Sequence, residues 1–437
     1  MFCGNQSKIS KIYMLHPHFS YKSNQLCAEG VVLKDIAKEV ETPFFVYSSA
    51  AITEQYKRLA GALDGTDSLV CYAVKANSNQ AVLRTVCALG AGADVVSGGE
   101  LRRALEAGFD PRKIVFAGVG KSESEMRQGL SAKILQFNVE SLPELECLNN
   151  VAQDMGCIAP VALRINPDVD ARTHQKITTG RYENKFGIDL QSAFSIIERL
   201  QDFSHLRLEA LSVHIGSQLT EVTPYNAAYW RLADFVRRVM AYGIALERLD
   251  LGGGLGISYS NDDKPQENML ESYVEIVKQY IVPLGLPMIF EPGRYLVGNA
   301  GLLISRLLYV KEGAQGRKFM ILDAAMNDLL RPALYDAHHE LLPLAESKGA
   351  QEYHDIVGPV CESGDTFAKH RLMSPVNVGD FLAFSSVGAY GAVMSSNYNT
   401  RPLAAEIMVK DKDWATIRKR QSIEALIAAD NLPPWLG

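Results

Sequence analysis

Lys75 closes the apolar run Leu69-Val70-Cys71-Tyr72-Ala73-Val74 and precedes Ala76-Asn77. A lone lysine is ordinarily a surface residue. At the end of a fully apolar strand its stem starts inside the fold, and lost hydration favours the neutral amine, which can condense with an aldehyde. Glu291 ends another such run and opens Glu291-Pro292-Gly293-Arg294. A carboxylate buried there needs a cation. Arg294 could be that cation, or a protonated ring nitrogen could, and the acid would then strengthen the ring as an electron sink. Gly252-Gly253-Gly254 ends a third run. It reads as a flexible turn, or as three peptide N–H groups open to a phosphate. His214, in His214-Ile215-Gly216-Ser217-Gln218, reads as a core histidine or as a ring stacked on a flat cofactor, with Ser217 in reach of a phosphate.

Later in the chain come three further groups. Arg331-Pro332-Ala333-Leu334-Tyr335 offers a guanidinium for bidentate carboxylate recognition. Cys361-Glu362-Ser363-Gly364-Asp365 offers a thiol beside an acid. A neighbouring carboxylate raises a thiol's pKa, which suits a proton donor better than a thiolate nucleophile. Gly388-Ala389-Tyr390-Gly391 holds a phenol on a tight loop. Each motif is weak alone. Amine, acid, glycine triplet and imidazole together point to pyridoxal phosphate (PLP) chemistry.

The elements that must position these groups are short apolar runs at 69–74, 93–96, 113–117, 134–137, 161–165, 211–214, 249–251 and 288–290. Nearly every one is followed by a helix-like stretch. That alternation predicts a (β/α)8 barrel, an α/β fold whose reactive groups sit at the C-terminal ends of its strands and whose phosphate site follows strands seven and eight. Val82, Leu83, Val86 and Leu89 lie on one helical face stopped by Gly90; Leu232, Phe235, Val236 and Val239 form another, closed by Gly243. Ser122-x-x-Glu125 and Ser141-x-x-Glu144 read as capping boxes. Beyond Pro292 helical spacing becomes rare. Strand-like runs at 302–310, 319–323, 355–360, 381–385 and 404–409 predict a second, mostly β domain of sandwich or barrel type. The expected organisation is a barrel over 43–292, a β domain made of 11–42 together with 293–437, and an extension at 1–10. The N-terminal piece, strand-like at 26–32, is expected to pair with the C-terminal domain. The polar segment 167–187 reads as a lid.

With 437 residues and 47% apolar content the chain can build a large core, and barrels run to about 250 residues as one unit. Net charge is −6 and no long basic run occurs, so nucleic acid and anionic membranes are not expected partners. No apolar stretch reaches the ~18 residues of a membrane span, and the start lacks the apolar segment of a secretory signal. Seven scattered cysteines without CxxC spacing argue against a disulfide framework or a zinc ribbon, and no metal site is expected. They fit a cytoplasmic protein.

Taken in order, the motifs resemble those of the fold-type III PLP enzymes, and most closely the diaminopimelate decarboxylase family. The similarity runs from about Tyr13 to about Ala425 and includes Thr42-Pro43-Phe44-Phe45-Val46-Tyr47, Tyr72-Ala73-Val74-Lys75-Ala76-Asn77, His174-x-Lys176-Ile177-x-Thr179-Gly180, Asn184-Lys185-Phe186-Gly187 and the motifs quoted above. The resemblance implies an alanine-racemase-like two-domain fold and conversion of meso-2,6-diaminopimelate to L-lysine and CO2, the last step of lysine biosynthesis. It implies that Lys75 holds PLP covalently, Glu291 faces the ring nitrogen and His214 the ring. Gly252, Gly253, Gly254, Ser217 and the backbone of Glu291, Pro292, Gly293 and Arg294 would hold the phosphate, with Tyr390 near both phosphate and substrate. Arg294, Arg331 and Tyr335 would bind the distal carboxylate and Glu362 the distal ammonium. Cys361 would return the proton. Cys361 and Glu362 would enter the partner's site, which implies a homodimer.

Three other readings share parts of this pattern. Decarboxylases of arginine, ornithine or carboxynorspermidine would keep Lys75, Glu291 and Cys361, but Arg331 with Tyr335 favours a substrate with a distal carboxylate. An amino-acid racemase of the same fold type would place arginine, not an acid, at the ring nitrogen. A PLP-carrier protein would consist mostly of the barrel, against which the long β domain counts.

Overall fold

The computed structural model describes residues 16–170, 185–260 and 268–436. The extension 1–10, the motif at 174–180, Asn184 and most of the expected lid lie outside the described residues.

Eight parallel strands close into a barrel: Ser68–Ala73, Gly92–Val95, Ile114–Phe116, Gln136–Val139, Ala159–Asn166, Leu206–Val213, Arg248–Asp250 and Met288–Phe290. The last strand pairs with the first, Met288 opposite Ser68 and Phe290 opposite Val70, which leaves no edge inside the ring. Expected and observed ends agree within two residues, except that the sixth strand starts at Leu206 rather than 211. Arg207 and Glu209 interrupt its apolar signal. Glu209 is nonetheless buried, because Arg248 donates to it at 2.6 Å.

Helices pack outside. Gln80–Cys87 buries Val82, Leu83 and Val86, is capped by Asn79 Oδ1 accepting the Ala81 N–H, and stops before Gly90 at φ +95°. Ser122 and Glu125 form both arms of a capping box. At Ser141 only one arm forms. The Ser141 hydroxyl accepts the Glu144 N–H, but the Glu144 carboxylate accepts from the Glu140 N–H (2.8 Å) and the buried Lys121 ammonium (2.6 Å). A buried cation makes a stronger hydrogen bond to that carboxylate than a neutral peptide does.

The rest of the chain forms a mixed sheet around the long strand Gly301–Glu312, which pairs with Phe44–Ser48, Lys318–Leu322 and Phe381–Phe384. Phe44–Ser48 also pairs, in parallel, with Ala405–Lys410. Residues 44–48, expected with the barrel, therefore belong to the second sheet by hydrogen bonding. Their five-residue buried run is indistinguishable from a barrel strand by pattern alone. The N-terminal strands Phe19–Lys22, Gln25–Ala28 and Val31–Val32 make their own three-stranded sheet. It joins the rest of the second domain by a shared core, Leu26, Leu33 and Ile36 with Phe44, Val46, Leu302 and Ile304, and by backbone bonds from Leu26 N–H to Leu344 O (2.8 Å), Glu346 N–H to Asn24 O (2.9 Å) and Gly30 N–H to Asp411 O (2.7 Å).

The second sheet comes down on the C-terminal mouth of the barrel. Ala76 O accepts the Tyr390 N–H (2.8 Å), and Asn77 Nδ2 donates to Gly388 O (3.1 Å). That junction sets the site. Among the described residues no helix is long and apolar enough to cross a membrane.

Candidate active site

A cavity of about 460 Å³ lies at this junction, within the size range of small-molecule sites. Lys75, His214, Ser217, Gly254, Glu291, Gly293, Arg294, Arg331, Tyr335 and Tyr390 all line it. These predicted residues come from six separate regions of the chain, and the fold brings them together.

Lys75 sits just beyond the first barrel strand, its ammonium 2.8 Å from Asp94 Oδ2. Burial pushes its pKa down, but the buried Asp94 carboxylate, with Tyr390 and Glu291, outweighs burial and holds it above the ordinary lysine value. The expected neutral amine is thus corrected: without a ligand, Lys75 is an ammonium. Asp94 was missed because it reads as one polar residue in the four-residue strand Gly92–Val95. An acid fully buried in a strand was the available signal.

Beneath the lysine the barrel interior is polar. Asn138 Nδ2 donates to Asp250 Oδ2 (2.8 Å) and, more weakly, to Glu291 Oε1 (3.4 Å); Gln136 Nε2 reaches Asp250 at 3.3 Å. Burial, then the neighbouring Asp250 and Asp94, push the Glu291 carboxyl well above its usual range. Burial also raises Asp250. The neighbouring Asp250 and Asp94 keep Glu291 protonated until a cation is placed against it.

The glycine triplet is enforced by crowding. A Cβ on Gly253 would lie 2.1 Å from Glu291 O, and one on Gly254, at φ +109°, would lie 2.5 Å from Gly216 O. The Gly252 N–H donates to Asp250 Oδ1 (3.0 Å) and the Gly253 N–H to His214 Nδ1 (3.1 Å). Two of the three expected phosphate donors therefore bond within the protein, and with Pro292 these two glycines border a small void beside the cavity. Gly254 alone of the three lines the cavity itself. As an acceptor at Nδ1, His214 carries its proton on Nε2. Burial, then Arg164 and Lys75, keep it neutral, its pKa well below the ordinary value.

Arg294 and Arg331 form the far wall. Arg294 donates to Ser217 Oγ (3.1 Å) and to the Tyr259 hydroxyl, and its guanidinium carbon lies 4.7 Å from the Tyr390 ring centre. Its Nε is buried without a partner. Arg331 stacks on Tyr259 at 4.4 Å and donates to His339 Nε2 at 2.8 Å. Neither guanidinium has a carboxylate partner among the described residues. Two buried cations without counter-ions make a receptor for anions. Sequence reasoning missed Tyr259 and His339; no local pattern marks either.

Cys361 and Glu362 are not brought to the cavity. They sit on an exposed turn held by Asp365, whose carboxylate accepts the N–H groups of Met326 and Val360, both at 2.7 Å. Cys361 is exposed, and Glu362 hydrogen-bonds Tyr398. Within one chain both residues are exposed, and neither lines the cavity.

The residues present fit PLP: one amine for the aldehyde, a deep carboxyl for the ring nitrogen, and a guanidinium with a buried, unpartnered N–H beside a hydroxyl for the phosphate. Fold and site together define a class, the barrel-type pyridoxal-dependent decarboxylases. Residues 49–298 match the family described as "Pyridoxal-dependent decarboxylase, pyridoxal binding domain". A diaminopimelate decarboxylase of Zymomonas mobilis is 49% identical over 96% of this chain and 99% of its own length. That of Pseudomonas aeruginosa is 47% identical over 95% and 99%. The crystal structure of diaminopimelate decarboxylase from Helicobacter pylori complexed with L-lysine superposes with a TM-score of 0.87 at 40% identity, covering 91% of this chain and 98% of that one. A co-complex of the M. jannaschii enzyme with L-lysine gives 0.90 at 37%, covering 97% and 100%. The chain belongs to the diaminopimelate decarboxylase family.

Proposed function

We propose that this protein decarboxylates meso-2,6-diaminopimelate to L-lysine and CO2 with PLP as cofactor. The observation that carries the reading is the pair of buried guanidiniums, Arg294 and Arg331, without carboxylate partners among the described residues, lining one cavity with Lys75 and Glu291.

Bound PLP supplies the sink for the electron pair that departing CO2 leaves behind. Lys75 would hold the cofactor through its aldehyde. Asp94 keeps a proton on the released lysine. Glu291 would face the ring nitrogen and ionise against its charge, with Asp250 and Asn138 fixing the carboxyl. His214, neutral and oriented by the Gly253 N–H, backs the ring. Ser217, Gly254 and the segment Gly293-Arg294 would hold the phosphate, with Tyr390 lining the same cavity. Arg331, with Arg294 and Tyr335, would take the carboxylate that is not lost. The proton that replaces CO2 comes from Cys361, and Glu362 receives the distal ammonium.

The last two assignments require a homodimer. Both residues lie outside their own chain's cavity, so the partner subunit's Cys361 and the partner subunit's Glu362 complete the site. Six described cysteines, all unpaired, support a reducing cytoplasmic setting.

Specificity follows from the far wall. Ornithine has no distal carboxylate, so Arg331 would lie desolvated and unpaired at a cost of order 2–5 kcal/mol. The acidic Glu291 separates this site from a racemase. Incubation of the PLP-loaded protein with meso-diaminopimelate, ornithine and alanine, followed by product analysis, tests the reading. Lysine and CO2 from the first alone is expected; cadaverine-type diamines or racemised alanine would overturn it.

A further inference from the structure

We propose that His339 is a positioning residue for recognition of the distal carboxylate: a neutral imidazole that fixes the Arg331 guanidinium without neutralising it. The inference rests on the reading of Arg331 as that carboxylate's receptor.

Arg331 opens the short helix Arg331–Tyr335, and both it and His339 are buried. His339 Nδ1 lies 2.8 Å from Ser385 O, and its Nε2 lies 2.8 Å from Arg331 Nη1. A carbonyl oxygen only accepts, so Nδ1 carries the proton and Nε2 offers its lone pair to the guanidinium. The two contacts define one tautomer and one charge state. A protonated ring would set two cations face to face, and burial, then Arg331, accordingly hold the imidazole neutral.

The choice of partner matters. An acid at this position would pair with Arg331 and cancel the charge that attracts a substrate carboxylate. An apolar residue would leave the guanidinium oriented only by its stacking on Tyr259. Tyr259 in turn meets His339 edge-on, the rings 5.3 Å apart and 84° inclined. Arg331 is thus held from the ring face by Tyr259 and end-on by His339, and neither uses its charge. The adjacent His338 differs: its ring contacts Glu340 and Arg371 at 3.1 Å each.

The test separates orientation from folding. A meso substrate that yields L-lysine loses the carboxylate of its D centre, so L-lysine keeps the distal carboxylate whereas cadaverine has none. In the PLP-loaded His339→Phe variant, KM for meso-diaminopimelate and Kd for L-lysine are each expected to rise about tenfold, the scale of one charged hydrogen bond. Cadaverine affinity, kcat and the visible absorbance of bound PLP are expected to change little. His339→Gln, whose amide can accept from Arg331 and donate to Ser385 O together, is expected to restore L-lysine binding. His339→Asn, too short for both contacts, replaces the Phe variant if that one does not fold.

Equal weakening of L-lysine and cadaverine would overturn the proposal, as would unchanged L-lysine affinity in the Phe or Asn variant or a Gln variant no better than Phe. Arg331→Ala distinguishes the two levels. If it leaves L-lysine affinity intact, the reading of Arg331 itself fails. If it weakens L-lysine and His339→Phe does not, only the role of His339 fails.

Discussion

At the scale of single residues the site turns on how two charges are held. In the proposed reading Lys75 must become a neutral amine to meet an aldehyde, yet Asp94 keeps it protonated against the pull of burial. Its pKa is raised, so the ion pair's contribution to stability is fully present below the ordinary lysine pKa and is lost as pH climbs through the higher folded value. Two outcomes follow. Lys75→Ala should abolish both turnover and the absorbance of bound cofactor; a variant that kept both would refute the assignment. In Asp94→Asn, burial acts on Lys75 unopposed by that carboxylate, and the amine loses its proton at lower pH. Capture of PLP by the apoprotein should rise with pH in the parent across the neutral range. The Asn variant should capture it faster at a given neutral pH, as stopped-flow absorbance would read. Slower capture in the variant would mean that Asp94 does something other than hold the proton.

At the scale of elements, the loop after the seventh strand shows why glycine stands where it does. The tips of neighbouring strands meet so closely that a Cβ on Gly253 would sit 2.1 Å from the Glu291 carbonyl. Gly61, near the end of the helix Ser49–Ala62, has nothing within 4 Å of the same added carbon. The same substitution should therefore act with opposite sign. Gly253→Ala is expected to destabilise by roughly 1–3 kcal/mol and to disturb His214 and Glu291. Gly61→Ala should stabilise by about 0.4–1 kcal/mol through helix propensity and the unfolded chain. Urea unfolding of both apoproteins measures this, and a neutral Gly253→Ala would show that the loop yields. The helix–strand alternation was legible throughout because each apolar run is flanked by helical periodicity. Phe44–Ser48 was assigned to the wrong layer because a fully buried strand carries no mark of which sheet it joins.

At the scale of the whole molecule, the proposed homodimer makes the cavity a site shared by two chains. Cys361 and Glu362 face solvent in their own chain, while the cavity collects every other predicted catalytic or substrate-binding group. If each site is shared, two dead variants should complement. Lys75→Ala and Cys361→Ala chains, mixed in equal amounts after dissociation and reassociation, form heterodimers as about half of all dimers, each with one intact site. About a quarter of the parent activity should return, by the symmetry of a closed dimer. No recovery would place Cys361 in its own chain's chemistry.

By itself the sequence determined the barrel, the order of its strands and the reactive groups at their ends. Those depend on periodicity and on single residues following apolar runs, both local properties. Only the tertiary structure decided the charge on Lys75, the engagement of two glycine N–H groups, the acids near Glu291 and the clamp of Tyr259 and His339 on Arg331. Each of these is a contact between residues far apart in the chain, and a pKa or an orientation is set by what surrounds a group in space.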